Sequence, residues 1–237
     1  MLKNKVVLIT GGSSGIGEAT ALSFAKNNAD VVITYKENKE GADKVVQEIE
    51  KLGQKALAIQ ADLINEDEAK KVVGETIAKF GRIDVLINNA GRYVDGDEWN
   101  GPSAVWLKSL QQNLISVMNI SKYAVEIFQK QKSGVMVSVA SRHGIHGMSD
   151  GLSYSAAKSG VINISEIYAK LLTPFGGRAN AVSPGAVRAG YWLMAPKDEL
   201  EAQGKLIEPE MVAEKILFLS SDEAKEINGQ NISITAE

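Results

Sequence analysis

Tyr154 and Lys158 stand four residues apart, and on a helix that spacing stacks a phenol and an ammonium on one face. A tyrosine hydroxyl ordinarily loses its proton near pH ~10, and a neighbouring cation favours the phenolate, bringing proton transfer closer to neutral pH. Upstream, Ser141 closes the segment Val137-Ser138-Val139-Ala140-Ser141, from which its hydroxyl can reach the same reacting oxygen. Together the three point to carbonyl chemistry. On its own, a Tyr and a Lys at this spacing also suits the solvated face of an amphipathic helix, so the rest of the chain must decide.

The elements that would position these groups can be read from hydrophobic pattern. Short apolar runs rich in valine and isoleucine alternate with segments of helical period, as in a parallel sheet with crossover helices. The strand runs are Val6 to Thr10, Val31 to Thr34, Ala56 to Gln60, Val85 to Ile87, Val135 to Val139, Ala179 to Val182 and Ile232 to Ile234. Between them, Ala42, Val45, Val46, Ile49 and Leu52 share one helical face, as do Ala69, Val72, Val73 and Phe80. No linker, repeat or low-complexity tract divides the sequence. The expectation is a single α/β domain over residues 1–237, a doubly wound parallel sheet of Rossmann type with helices on both faces. Ligands in such sheets sit at the carboxyl ends of the strands.

Composition narrows the partners. The chain has 237 residues, 44% hydrophobic and 23% charged, with a net charge of -3, so no basic excess points to nucleic acid or an anionic membrane. It has no cysteine, which excludes disulfides, thiolate metal sites and a cysteine nucleophile and fits a reducing compartment. The N-terminal residues run straight into a strand-like segment with no export signal, so the cytoplasm is expected.

Strand ends carry the remaining signals. The first leads into Thr10-Gly11-Gly12-Ser13-Ser14-Gly15-Ile16-Gly17 and then a helix. Glycines there permit a tight turn and close backbone approach, and the helix N-terminus attracts a phosphate. The second ends at Thr34-Tyr35-Lys36-Glu37, near where an acidic residue would hold a ribose 2'-hydroxyl. Lys36 can instead pair with a 2'-phosphate, which favours NADP(H), with NAD(H) as the alternative; a solvated loop lysine is the plain reading. Asp62, before Leu63, can accept from an adenine amino group or cap its own turn. Asn89-Ala90-Gly91 can lie along a cofactor or be ordinary turn chemistry. His143 and His146, between Ser141 and Tyr154, can orient a polar substrate; two loop histidines without a third ligand assign no metal.

In this order the motifs resemble the short-chain dehydrogenase/reductase family over nearly the whole chain. Thr10 to Gly17 looks like the family's cofactor loop, Asn88 to Gly91 like its central motif, and Ser141, Tyr154 and Lys158 like its catalytic set. Asn113 matches the fourth catalytic residue, and Ser183-Pro184-Gly185 the turn beside the nicotinamide. The resemblance implies that Tyr154 protonates a carbonyl oxygen as hydride arrives from the nicotinamide, that Ser141 holds that oxygen, that Lys158 lowers the tyrosine pKa and binds the ribose, and that Asn113 holds a relay water. It also implies cofactor contacts from Gly11, Ser13, Ser14, Gly15, Ile16, Gly17, Tyr35, Lys36, Asp62, Leu63, Asn89, Ala90, Gly91, Pro184, Gly185 and Val187, with Tyr154 and Lys158.

Within the family the chain looks most like the beta-ketoacyl-acyl-carrier-protein reductases. The expected activity is NADP-dependent reduction of a ketone, a 3-oxoacyl thioester first. A sugar or polyol dehydrogenase is the alternative, favoured by the polar stretch of Arg92, Tyr93, Asp95, Asp97, Glu98 and Trp99; a nucleotide-binding regulator without turnover is the reading from another class. The chain departs from the family at Ala189, where a threonine is usual, in a shortened lid over about 189–206, and at its C-terminus, Ser233 to Glu237. The resemblance implies a homo-oligomer, tetramer or dimer, built through the long helices carrying Asn113 and Tyr154.

Overall fold

A computed structural model describes residues 2–148 and 150–236, so Glu237 of the C-terminal segment lies outside the described residues. Seven strands form one all-parallel sheet: β1 (Val6–Ile9), β2 (Asp30–Tyr35), β3 (Ala56–Gln60), β4 (Val85–Asn88), β5 (Val135–Val139), β6 (Arg178–Pro184) and β7 (Asn231–Ile234). Their order is β3-β2-β1-β4-β5-β6-β7, so the winding reverses between β1 and β4, and a crevice opens there at the strands' carboxyl ends. The connecting helices are α1 (Gly15–Lys26), α2 (Lys39–Lys51), α3 (Glu66–Phe80), α4 (Ser103–Leu110), α5 (Ser116–Gln131), α6 (Leu152–Leu172), α7 (Lys197–Gln203) and α8 (Pro209–Ser220).

Both sheet faces are covered, which is why the strands read as continuous apolar runs rather than as an alternation. Val7, Ile9, Val31, Ile33, Val85, Ile87 and Val137 face one core with Phe24, Val45, Ile49, Val212 and Ile216 of α1, α2 and α8. Leu8, Val32, Leu86 and Met136 face the other, with Val72, Ile120, Phe128 and Leu172 of α3, α5 and α6. Each fully buried aliphatic side chain stabilises the fold by roughly 1.5–3 kcal/mol. Two crossover helices start on asparagine caps: Asn38 Oδ1 accepts from Gly41 N–H at 3.0 Å and Asn65 Oδ1 from Asp67 N–H at 3.0 Å.

At the opposite end of the sheet from the glycine turn, buried Asp84 accepts from Val6 N–H (2.9 Å), Lys5 Nζ (3.2 Å) and Arg82 Nε (2.7 Å). That charge cluster is structural and holds β1 beside β4. Between α4 and α5 the helix widens into one π-helical turn, Gln111–Ile115. The extra residue in such a turn changes the direction in which neighbouring side chains project, and Asn113 at its centre is fully buried.

Candidate functional site

The turn after β1 is tied to the end of β4. Thr10 Oγ1 accepts from the N–H groups of Asn89 and Ala90, both at 2.9 Å, and Asn89 Nδ2 donates to the carbonyls of Thr10 (2.9 Å) and Gly11 (3.0 Å). Asn89 is therefore spent on holding the glycine turn, and Ala90 and Gly91 are the neighbours left to border a ligand. Gly17 packs so tightly that a Cβ would collide with the Gly11 carbonyl. Ser14 is the exposed N-cap of α1 without a side-chain cap bond, while Ser13 is buried and its carbonyl accepts from Asn38 Nδ2 at 3.1 Å. The amides of Gly15, Ile16 and Gly17 in the first turn of α1 have no partner within the helix and suit a phosphate.

At the next strand ends two candidates meet each other. Lys36 Nζ lies 2.7 Å from Asp62 Oδ2, and Asp62 Oδ1 accepts from Ile64 N–H at 3.2 Å, so this carboxylate caps its own turn. Tyr35 is buried in the core beside α1 and α2, and Leu63 is buried in the opposite core. Across the crevice, β6 delivers Pro184; Gly185 N–H donates to the Ile234 carbonyl (2.9 Å), and Val187 bridges to Ile207. A Cβ placed on Gly15 would lie 3.0 Å from the Ala189 methyl, so Ala189 faces the glycine turn. Beyond it the segment expected as a lid folds as a short 3-10 turn, Gly190–Leu193, followed by α7, with Tyr191, Leu193 and Met194 exposed and Tyr191 hydrogen-bonded to Glu199.

The four residues expected to do chemistry converge at the ends of β4 and β5. Ser141 follows β5, and its Oγ accepts from His143 N–H at 3.2 Å. Burial raises the pKa of the Tyr154 phenol, and a hydrogen bond with the Ser141 hydroxyl pulls it partly back. Lys158 Nζ donates to the Val139 carbonyl at 2.9 Å and lies 5.6 Å from the Tyr154 ring centroid. Burial brings Lys158 down to about 8. Desolvation is the larger influence on the phenol and the Ser141 hydrogen bond the offset, while the Lys158 ammonium is directed at a backbone carbonyl.

Asn113 Nδ2 donates to the carbonyls of Arg92 (2.9 Å) and Ser109 (3.0 Å), while its buried Oδ1 has no partner among the described residues. A Cβ on Gly91, whose φ is +145°, would stand 2.6 Å from that oxygen. An orphaned buried acceptor and a cradle that a side chain would fill are what a nicotinamide cofactor with its ordered water requires. The residues present fit that group.

Two rings clamp the Tyr154 ring edge-on, Tyr93 at 5.8 Å and His143 at 5.5 Å between centroids. Among the described residues His143 Nε2 makes no hydrogen bond, and it lies 3.8 Å from Asp150 Oδ2. His146 is exposed, so the two histidines part company, and among the described residues no cluster could hold a metal ion. Asp97 differs from its expected place in a polar wall. It is fully buried and accepts from the backbone amides of Ser153 and Tyr154. The sequence hint was that α6 opens on Gly151, which has no side chain to cap a helix.

Comparison with known proteins agrees with this geometry. The short chain dehydrogenase family model matches residues 5–199. The chain is 38% identical to a 3-oxoacyl-acyl-carrier-protein reductase of Thermotoga maritima, covering 98% of this chain and 97% of that one. It is 36% identical to a 3-oxoacyl-acyl-carrier-protein reductase of Synechocystis sp., covering 98% and 96%. The crystal structure of levodione reductase superposes with a TM-score of 0.92 at 29% identity, covering 98% and 96%. NAD+-bound xylitol dehydrogenase shares the fold, with a TM-score of 0.92 at 24% identity over 98% of each chain. With the glycine turn, the seven-strand order and the Asn113, Ser141, Tyr154 and Lys158 cluster in one crevice, the chain belongs to the short-chain dehydrogenase family, as an oxidoreductase that uses a nicotinamide cofactor.

Proposed function

We propose that the protein reduces a ketone to a secondary alcohol with NADP(H), and that its substrate is a 3-oxoacyl thioester. The observation that carries this is the meeting of the Ser141 and Tyr154 hydroxyls beside a buried Lys158 whose pKa is about 8. The Gly11 to Gly17 turn, Ala90, Gly91 and the Pro184 to Val187 segment would hold the cofactor, and Lys36 its 2'-phosphate. When bound, the nicotinamide supplies the hydride.

The chain's own residues manage the proton. Ser141 holds the substrate oxygen by a hydrogen bond. Tyr154 gives its phenolic proton to that oxygen, and the resulting phenolate is stabilised by Ser141 and by the Lys158 ammonium. Lys158, titrating near neutral pH, returns the proton through a water held by Asn113 Oδ1. The Tyr93 and His143 rings keep the phenol in one orientation and exclude solvent from its edges. The names of the two bacterial relatives support the acyl thioester.

A hydroxylated substrate is the second reading, and the exposed carboxylates Asp95, Glu98 and Asp150 favour it. Burial and then the charges of Asp150, Asp97, Glu98 and Asp95 raise the Tyr93 pKa. The hydrogen bond to Glu199, followed by burial and nearby carboxylates, raises that of Tyr191. NADPH consumption measured with a short 3-oxoacyl thioester and then with ketoses and polyols under NADP+ or NAD+ separates the readings. Turnover with the thioester is expected; turnover with polyols alone would replace the substrate, and tight cofactor binding with no turnover would favour a regulator. A homo-oligomer, tetramer or dimer, accords with the exposed apolar side chains of Leu107, Ile115 and Met118 on one helical run and Ile167 and Leu171 on α6. The cysteine-free composition supports a reducing compartment such as the cytoplasm.

A further inference from the structure

Asp97 is a carboxylate with 0% exposure, and the proton path above makes no use of it. Its Oδ1 accepts from Ser153 N–H at 2.9 Å and the Ser153 hydroxyl at 2.7 Å. Its Oδ2 accepts from Tyr154 N–H at 2.7 Å and the Ser109 hydroxyl at 3.4 Å. Its main-chain carbonyl accepts from Gly151 N–H at 2.9 Å and Leu152 N–H at 3.2 Å.

The first amides of a helix have no partner inside it. At α6 all of those from Gly151 to Tyr154 are taken by this one residue, reaching from a loop far upstream. The positive end of the helix favours an anion there, and bonds to a carboxylate are the strong ones. The same side chain reaches α4 through Ser109, whose carbonyl accepts from Asn113 Nδ2 at 3.0 Å. Asp97 thus joins the helical run that carries Asn113 to the helix that carries Tyr154, and Tyr154 is bonded to it by its own amide.

We propose that Asp97 is a positioning residue for the reaction, fixing the start of α6 against α4 so that the Tyr154 hydroxyl stands at Ser141 in register with Lys158 and Asn113. This rests on Tyr154 being the proton donor. Asp97→Asn keeps the volume and one acceptor oxygen but turns an NH2 group toward donors on one side.

The test compares wild type, Asp97→Asn and Ser153→Ala. It reads melting temperature, NADPH Kd, kcat per cofactor-binding site, KM, and the isotope effect with NADPH deuterated at the transferred position. For Asp97→Asn the expected result is an NADPH Kd within about twofold of wild type, little change in KM, and kcat lower by about tenfold to a hundredfold with a larger isotope effect, as for a misplaced catalytic group. An unchanged kcat per cofactor-binding site, even with a lowered melting temperature, would make Asp97 a structural cap only and overturn the proposal. Should Asp97→Asn yield no folded protein, Ser153→Ala removes one bond of the same set. Its kcat is then expected to fall about fivefold, the equivalent of one lost hydrogen bond, and an unchanged value overturns the proposal. Tyr154→Phe separates the two ideas. If it stays active, the proton donor is wrong; if it is inactive while Asp97→Asn turns over normally, only the positioning role fails.

Discussion

Lys158 is an ammonium that the fold buries with no ion-pair carboxylate among the described residues, donating to the Val139 carbonyl. Its pKa falls from 10.5 to about 8 through burial, so below that pH the charged form destabilises the folded state by about 3 kcal/mol. Lys158→Met removes this penalty and leaves the Val139 carbonyl without its donor, which costs about 1 kcal/mol. At pH 7 the variant is expected to be inactive yet more stable than wild type by about 2 kcal/mol. The sign fixes the pH dependence. Between about pH 8 and 10.5 the folded protein has shed this proton while the unfolded chain keeps it, so wild-type stability rises relative to the variant across that window. Urea unfolding of both proteins at pH 7 and 9.5 reads the difference, and a gap that widens with pH would contradict it. The Lys36 and Asp62 ion pair, 2.7 Å long and partly exposed, gives a second residue-scale outcome. Lys36→Ala is expected to raise the KM for NADPH about tenfold with little effect on NADH, and Asp62→Asn to lower it a few-fold by freeing the ammonium. An unchanged NADPH to NADH preference in both would remove Lys36 from cofactor selection.

At the scale of elements, the strands were legible because each is buried on both faces, which fixes composition as well as period. Ala56 to Gln60 and Val135 to Val139 have the same bounds as β3 and β5, and the other runs differ by a residue or two at their ends. Helix α6 was legible from Tyr154 and Lys158, since i to i+4 spacing on a helix gives one face. The π-helical turn Gln111–Ile115 was not, because one extra residue in a long helical run leaves no period in the sequence. Nor was the cap of α6. Its partner Asp97 lies in a polar loop whose neighbours Asp95, Glu98 and Trp99 are exposed, and only the three-dimensional path of the chain turns Asp97 inward. The π-helical turn carries an element-scale prediction. Asn113→Ala removes the Nδ2 donor to the Arg92 and Ser109 carbonyls and the Oδ1 acceptor, so kcat is expected to drop about a hundredfold and stability by about 1–3 kcal/mol. Steady-state rates beside thermal melting check both parts, and full activity with lowered stability would reduce Asn113 to a packing residue.

For the whole molecule, the sheet order places the reversal of winding between β1 and β4, and the glycine turn, the Asn89 tie and the proposed Ser141, Tyr154 and Lys158 site all gather on that side. Composition foretold the covered sheet; it was silent on which loop would reach which helix, since those contacts join residues far apart in sequence. Exposed Ile167 and Leu171 on α6, with Ile115 and Met118 across the neighbouring helical run, are expected to be covered in an oligomer. Ile167→Asp with Leu171→Asp should lower the mass measured by light scattering to that of a smaller species, and a wild-type monomer would remove the argument. The most direct measurement is NADPH oxidation by purified wild type and Tyr154→Phe with a 3-oxoacyl thioester, beside NADPH binding to each. The site as described requires turnover by wild type, unchanged cofactor binding by the variant, and a loss of kcat of about a thousandfold or more. A Tyr154→Phe protein that binds NADPH and turns over at the wild-type rate would contradict it.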